Sequence, residues 1–180
     1  MALISAFNII FDVAPPYYVI IAVIFCTALE FALDGSVAIV VNKILPESWF
    51  SIDKRAFEVS EREKKLYKKL KVRLWKDKVW ELGGLGGFSK KNLKEPENPE
   101  YIERFIVECN KGVVTHRASY FVGFSVMLTL PVIPALTIAL PVALVNLYLN
   151  ILPTLALRYN TPMLKSVLKR EKKKRAEAPI

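Results

Sequence analysis

Apolar residues concentrate in two long stretches of the chain. The stretch YYVIIAVIFCTALEFALDGSVAIVVNKIL near the start is mostly apolar, and residues 118–157 carry no charged side chain. About 20 apolar residues cross a bilayer as a helix, so the second stretch is almost long enough for two crossings. Pro131, Pro134 and Pro141 lie near its middle, where a hairpin turn or a broken helix is expected. The pattern predicts an all-α integral membrane protein with about three transmembrane helices, one N-terminal and two in a proline-broken C-terminal hairpin.

The section between these stretches has the pattern of helices that lie at a membrane surface. Ser60 and Glu63 have the spacing of a capping box, and apolar residues then recur at steps of four, at Leu66, Leu70 and Leu74. This stripe predicts an interfacial helix with its apolar side in the headgroup region. The run GGLGGF (residues 83–88) is expected to end that helix.

A second helix is predicted to begin at PENPEYIERF. Asn98 is its expected N-cap and Pro99 occupies the first turn, where a missing N–H costs nothing. Its apolar stripe comprises Ile102, Phe105, Ile106, Cys109 and Val113. No helix-breaking residue follows before the uncharged stretch, so this helix is expected to carry His116 directly into the bilayer.

Charge predicts which side of the membrane each segment faces. The formal net charge is +9, with 18 basic and 12 acidic residues in 43–117 and 8 basic and 2 acidic in 158–180. Because basic loops mark the cytoplasmic side, we expect a multi-pass cell-membrane protein with an external N-terminus and no nucleic-acid partner. The predicted single membrane domain divides into an N-terminal crossing, a cytoplasmic or interfacial section, a transmembrane hairpin and a basic cytoplasmic tail: 1–45, 46–115, 116–158 and 159–180.

Few residues in the chain can carry chemistry. His116 is the only histidine, and no paired histidines or CxxC support a metal site. The glycine-rich run lacks the Lys-Ser/Thr ending of a nucleotide-binding loop. Glu30 and Asp34 share a helix face within the first apolar stretch. Either they face a polar cavity or partner, or LDGS marks a helix break near water.

Three short motifs resemble a known family. They are VRLWKDKVWELGG with FSKKNL, IERFIVECNKGVVTHR, and NLYLNILPTLALRYNTPMLKSVLKR, in this order over about residues 57–170. They are similar to the glycosyl-4,4'-diaponeurosporenoate acyltransferase family of staphyloxanthin-type carotenoid synthesis. The matching positions are Trp75, Lys76, Asp77, Lys78, Glu108, His116, Asn150, Arg158, Tyr159, Asn160 and Pro162. The chain departs from the family pattern at Val113, Arg117 and Thr161.

The resemblance implies a membrane-bound acyltransferase. It would move a fatty acyl chain from an acyl thioester such as acyl-CoA to a hydroxyl of a glycosylated carotenoid or glycolipid, at the membrane interface and without a cofactor or metal. Its implied partners are membrane lipids, the acyl donor and the lipid acceptor. The alternatives are a non-catalytic membrane partner or assembly protein, and another membrane enzyme that handles lipid phosphates.

Roles follow for the matched residues. Histidine titrates near neutral pH, so His116 is the candidate general base. Glu108 lies eight residues earlier, about 12 Å away along a continuous helix, so Asp77 is the candidate to fold back and orient the imidazole. Three cations are candidates to hold donor phosphates: Lys76, Lys78 and Arg158. The remaining candidate substrate contacts are Trp75, Asn150, Tyr159 and Asn160.

Overall fold

The computed structural model describes residues 1–79 and 93–177, and all regular secondary structure in these ranges is helical. The all-α class is therefore confirmed, whereas the predicted GGLGGF turn (residues 83–88) lies outside the described residues. The α-helices are α1 (Ala2–Ile10), α2 (Pro16–Ile39), α3 (Glu61–Lys69), α4 (Val72–Trp75), α5 (Pro99–Val122), α6 (Val132–Pro134) and α7 (Leu140–Glu177). Shorter 3-10 segments cover Glu47–Phe50, Arg55–Phe57, Lys76–Lys78 and Gly123–Thr129, and π-helical turns cover Val40–Ile44 and Ala135–Ala139.

The chain divides into two compact units. The first comprises Met1–Lys43 and Thr115–Ile151, and the second comprises Ile44–Val114 and Leu152–Ile180. Helices α5 and α7 are long enough to contribute residues to both units.

The first unit is built around α2. Pro16 stands at the start of this helix, where its fixed φ favours helix initiation. The buried core of this unit comprises Val19, Ala22, Val23, Cys26, Val126, Ile138, Ala139, Val142 and Ala143. Its three alanines let helix backbones approach closely. Large apolar side chains on the other side of α2 are exposed: Ile20, Ile21, Ile24, Phe25 and Phe31.

The proline-rich segment breaks the helical path as predicted. After α5 the backbone tightens into the 3-10 segment, Leu130 is extended, and Pro131 caps the short helix α6. A π-helical turn then leads into α7. Because a proline removes a backbone donor and clashes with the preceding turn, three prolines within eleven residues prevent one straight helix from forming here.

Two helical stretches of the described chain are long and apolar enough to cross a membrane, Pro16–Ile44 and Val132–Glu177. The third predicted crossing is not confirmed. Between Arg117 and Leu130 the chain has a short end of α5 followed by seven 3-10 residues, which together rise only ~21 Å. The hydrocarbon core is about 30 Å thick, so a third crossing would also need the preceding turns of α5, which run into this leg without a break.

In the second unit, α3 has the predicted capping box. Ser60 accepts a hydrogen bond from the Glu63 N–H, and the Glu63 carboxylate accepts one from the Ser60 N–H. The prediction of one continuous helix with a leucine stripe is wrong, however. Lys71 adopts a left-handed conformation with φ 50° and separates α3 from α4. The three stripe leucines are exposed, and the buried side chains of these two helices are Tyr67 and Val72.

Helix α5 begins as predicted. The Asn98 side chain accepts hydrogen bonds from the N–H groups of Glu100 and Tyr101. All five residues of the predicted apolar stripe are buried, and they pack against α7 at Leu157, Leu164 and Leu168.

The basic C-terminal segment is part of α7. The helix passes through Pro153 and Pro162 without ending and continues to Glu177. Arg175 pairs with Glu100 at 2.6 Å and Lys172 pairs with Glu103 at 3.1 Å. The predicted tail is therefore a helix tied to the start of α5 by ion pairs.

Candidate active site

A chain of hydrogen-bonded polar side chains runs through the first unit and ends at His116. The His116 Nδ1 lies 2.8 Å from the Asn150 Oδ1. The Asn150 Nδ2 donates to the Asp34 Oδ2 at 3.0 Å and to the Asn146 Oδ1 at 3.0 Å. The Asn146 Nδ2 in turn donates to the Glu30 Oε2 at 2.7 Å. Five polar side chains thus form one network within the first unit.

Helical spacing explains why these side chains meet. Glu30 and Asp34 are four residues apart on α2, and Asn146 and Asn150 are four residues apart on α7, so each pair lies on one face of its helix. His116 comes from α5, one residue before the exposed Arg117. Two acids on one helix therefore face two amides on another, with the imidazole at one end.

The two interpretations of the acidic pair can now be separated. Helix α2 continues through Gly35 and Ser36 to Ile39, so the helix break at LDGS is wrong. The carboxylates instead contact the amides of α7, which is the alternative in which they face a polar partner. This arrangement satisfies groups that would be costly to bury alone in a membrane protein.

The network is tightly packed around the Glu30–Asn146 pair. Glu30 is 4% exposed and Asn150 is 5% exposed. A Cβ atom on Gly123 would lie 2.8 Å from the Glu30 Oε2 and 2.9 Å from the Asn146 Nδ2. Only glycine leaves room for the backbone to approach the Glu30–Asn146 pair this closely.

The surroundings of Asn150 determine how its amide is oriented. Its Nδ2 faces three oxygens, those of Asp34, the Asn146 side chain and the Asn146 carbonyl at 3.1 Å. An amide oxygen in that position would face three acceptor oxygens. The Oδ1 therefore faces His116 and accepts the hydrogen bond from Nδ1–H. In this tautomer the lone pair of the imidazole resides on Nε2.

Two buried oxygens near this network have no hydrogen-bond partner among the described residues. They are the Glu30 Oε1 and the hydroxyl of Ser119, which lies three residues after His116 on α5. Buried polar atoms are nearly always paired, so these two oxygens are positions that a bound hydroxyl or water can satisfy.

Arg158, a predicted donor-binding residue, has a structural environment in the second unit. It is 5% exposed, and its Nε and Nη2 donate to the two carboxylate oxygens of Glu63 at 2.8 Å each. Its guanidinium also donates to the carbonyls of Ala56 and Glu58. These contacts use at least four of the five guanidinium N–H groups, so this side chain has little capacity left for a donor phosphate.

The bond to Arg158 changes the ionisation of its partners. The guanidinium holds the pKa of Glu63 down at about 2. Tyr67 donates to the same carboxylate at 2.9 Å, and burial, together with that carboxylate, raises the pKa of Tyr67 to about 12. Both groups therefore keep one charge state through the physiological range.

The other predicted site residues lie in the second unit with local contacts. The Asp77 carboxylate pairs with Lys76 at 2.8 Å, and Glu108 pairs with Lys111 at 2.8 Å. The Trp75 indole donates to the Leu70 carbonyl, and Tyr159 packs edge-on against the Tyr67 ring. Lys78 is exposed, and the buried Oδ1 of Asn160 has no described partner. Within the first unit, the structure brings together two of the predicted residues, His116 and Asn150.

The sequence prediction missed Asn146 and gave no role to the acidic pair. A signal was present, because Asn146 and Asn150 repeat in an uncharged stretch the four-residue spacing of Glu30 and Asp34 in the first apolar stretch. Two polar ladders with matching spacing, each in an apolar helix, indicate facing helix surfaces.

Comparison with known proteins identifies the family. The model of the glycosyl-4,4'-diaponeurosporenoate acyltransferase family matches residues 46–170. The chain belongs to this family. It is therefore an acyltransferase, and the family's function is in carotenoid biosynthesis. Together with the two membrane-length apolar helices, the family membership identifies a membrane protein.

The matched segment contains His116, Asn146 and Asn150 but not Glu30 or Asp34. No curated protein matches the chain, and no solved structure matches it. The roles of the network residues therefore rest on their chemistry and geometry.

Proposed function

We propose that this acyltransferase moves a fatty acyl chain from an acyl thioester to a hydroxyl of a glycosylated carotenoid or related glycolipid, with His116 as the general base. The observation that carries the proposal is the 2.8 Å contact between the His116 Nδ1 and the Asn150 Oδ1. A general base needs a partner that fixes its ring and tautomer. Asn150 provides that partner through its side-chain oxygen.

The reaction begins with removal of the acceptor proton. The Nε2 of His116 takes the hydroxyl proton as the oxygen attacks the thioester carbonyl, and a tetrahedral intermediate forms. The intermediate collapses as the carbon–sulfur bond breaks, and the imidazolium returns the proton to the departing thiolate. The products are an ester and a free thiol, and His116 regains its starting protonation state.

The charge that develops on the ring has a nearby counterpart. As His116 becomes positive, its Nδ1–H bond to Asn150 strengthens, and the Asn150 Nδ2 is already bonded to the Asp34 carboxylate. Hydrogen bonds to charged groups are worth about 1.5–3 kcal/mol. The network thus supports the imidazolium without placing a carboxylate directly on the ring.

An interfacial reaction suits the two substrates. The carotenoid acceptor is apolar and resides in the bilayer, whereas a thioester of coenzyme A type arrives from water. His116 lies at the boundary between the charged section of the sequence and the uncharged stretch that starts at residue 118. We expect the donor to approach from the basic side, with Lys78 and Lys76 as candidate phosphate contacts.

The test is transfer of a labelled acyl chain to a glycosylated carotenoid by purified protein. General-base catalysis contributes 10²–10⁴-fold, so we expect His116→Ala and His116→Gln to lower turnover by roughly that factor. Thr129→Val is the matched control, because this exposed threonine is not part of the network and its hydroxyl donates to the Val126 carbonyl. It should keep normal turnover.

Folding is measured in parallel by thermal unfolding in detergent, where all three variants should resemble the native protein. Equal product from native protein and His116→Gln would remove His116 from the chemistry. It would also favour a non-catalytic or differently catalysed role for this site.

A further inference from the structure

We infer that Asp34, which lies outside the family-matched segment, is a positioning residue that acts through Asn150 to select which nitrogen of His116 is the base. The inference rests on the proposed general-base role of His116. It adds a residue of α2 to a site whose imidazole and amides come from α5 and α7.

The Asn150 amide has two possible orientations, which differ in whether its oxygen or its nitrogen faces His116. In the observed orientation the Nδ2 donates to the Asp34 Oδ2 and to the Asn146 Oδ1, at 3.0 Å each. Rotating the amide by 180° would place its oxygen against these two acceptors. The same rotation would present an N–H to His116, which would then have to accept through Nδ1 and hold its proton on Nε2.

The amides alone do not set this choice. Asn146 could rotate together with Asn150, so that each amide still bonded to the other. The Asp34 carboxylate opposes such a concerted rotation, because it accepts the hydrogen bond of the Asn150 Nδ2 at 3.0 Å and has no hydrogen to donate to an amide oxygen. At the other end of the chain the Asn146 Nδ2 meets the Glu30 Oε2 at 2.7 Å.

Asp34 is the carboxylate that acts on Asn150 directly. Its second oxygen, Oδ1, also lies 3.4 Å from the Asn146 Nδ2, so one side chain contacts both amides. A hydrogen bond to a charged acceptor shifts the equilibrium between the two amide orientations by roughly tenfold to 100-fold. Without Asp34, the preference for Nδ1–H on His116 should fall by about that factor.

The experiment uses the fact that the chain has one histidine. Protein labelled with ¹⁵N-histidine gives imidazole signals from His116 alone, and these distinguish Nδ1–H from Nε2–H. Native protein in detergent, at a pH where the ring is neutral, should show Nδ1–H. Asp34→Ala should shift the ring to a mixture or to Nε2–H, and turnover should fall roughly tenfold to 100-fold with little change in KM.

Ser36→Ala is the matched control. Ser36 is exposed on the same helix two residues away, and its hydroxyl bonds to the Ala32 carbonyl, so its replacement should change neither the tautomer nor turnover. Asp34→Asn, which keeps the shape of the side chain without its charge, provides a second variant. It should show a mixed tautomer even if Asp34→Ala folds poorly.

An Nε2–H ring in native protein would overturn the inference without any variant. So would an unchanged Nδ1–H ring in Asp34→Asn. These outcomes differ from failure of the proposed function. If native protein showed Nδ1–H but transferred no acyl chain, the proposed function would fail, whereas the control of the tautomer by Asp34 would stand. If turnover depended on His116 as proposed but replacing Asp34 changed neither the tautomer nor turnover, the inference about Asp34 would fail and the proposed function would stand.

Discussion

Replacing Glu63 by Gln tests whether its pairing with Arg158 stabilises the second unit. The substitution keeps the size of the side chain but removes the charge that a 5%-exposed guanidinium faces through two bonds of 2.8 Å. Removing one partner of a buried ion pair costs about 3–5 kcal/mol. The Glu63 side chain is 28% exposed, so we expect the lower end, about 3 kcal/mol.

The lowered pKa of Glu63 gives a second value for the free energy that the same contacts contribute. An unpaired glutamate titrates at about 4.3, and each unit of pKa shift corresponds to about 1.4 kcal/mol. Lowering the pKa to about 2 therefore stabilises the folded state by about 3 kcal/mol at neutral pH. Because the folded pKa is the lower one, this stability is present above about pH 4.3 and is lost as the pH falls toward 2.

Thermal unfolding in detergent, followed by circular dichroism, measures the effect. For a chain of this size 1 kcal/mol corresponds to about 2–4 °C, so Glu63→Gln should lower Tm by roughly 6–12 °C at pH 7. The matched control is Glu61→Gln on the same helix. The Glu61 side chain is 80% exposed and pairs with Lys64 at 2.6 Å, and a surface pair of this kind contributes about 0–1 kcal/mol.

The pH dependence of the Tm difference shows whether the charge of Glu63 causes the loss of stability. The difference between native protein and Glu63→Gln should shrink as the pH is lowered from 5 toward 2, because the native carboxylate becomes protonated as well. Equal Tm losses for the variants at positions 61 and 63 would refute the reasoning. A difference that stayed constant down to pH 3 would show that packing, not charge, causes the loss.

Two further predictions concern packing and topology. Gly123→Ala should lower turnover and destabilise the protein by about 1–3 kcal/mol, because its Cβ would lie 2.8 Å from the Glu30 Oε2. The control is Gly35→Ala, whose Cβ would have no neighbour within 4 Å and which should be neutral or stabilising by about 0.5–1 kcal/mol. Equal changes in stability for the two variants would contradict the packing argument. A cysteine replacing Ala2 should react with an impermeant thiol reagent from outside the cell, whereas one replacing Glu177 should not, since basic segments stay cytoplasmic; the opposite labelling would reverse the proposed orientation.

Local rules predicted much of the fold because the interactions involved are local. The capping box at Ser60, the cap at Asn98 and the stripe of α5 each depend on residues within a few turns. The break at Lys71 was missed because a left-handed lysine has no sequence signature of the kind that glycine provides. The short leg before Pro131 was missed because hydropathy does not distinguish a 3-10 segment from an α-helix.

The candidate site was predicted only in part. His116 stood out as the only histidine and Asn150 through the family motif, and the structure joins these two residues. The orienting role assigned to Asp77 stays a prediction, and within its own unit the Asp77 carboxylate pairs with the neighbouring Lys76. The contacts of Asp34 with Asn150 join residues 116 positions apart, a pairing that helical periodicity alone does not determine.

The central claim is that His116 removes the proton of the acceptor hydroxyl, and one measurement tests it most directly. The protonation of the single histidine is followed by NMR across the pH range, and acyl transfer is measured in the same detergent and buffers. We expect kcat/KM to rise with pH in step with the loss of the His116 proton, with a slope of one on a logarithmic scale. Transfer that proceeds unchanged while His116 passes from charged to neutral would contradict it.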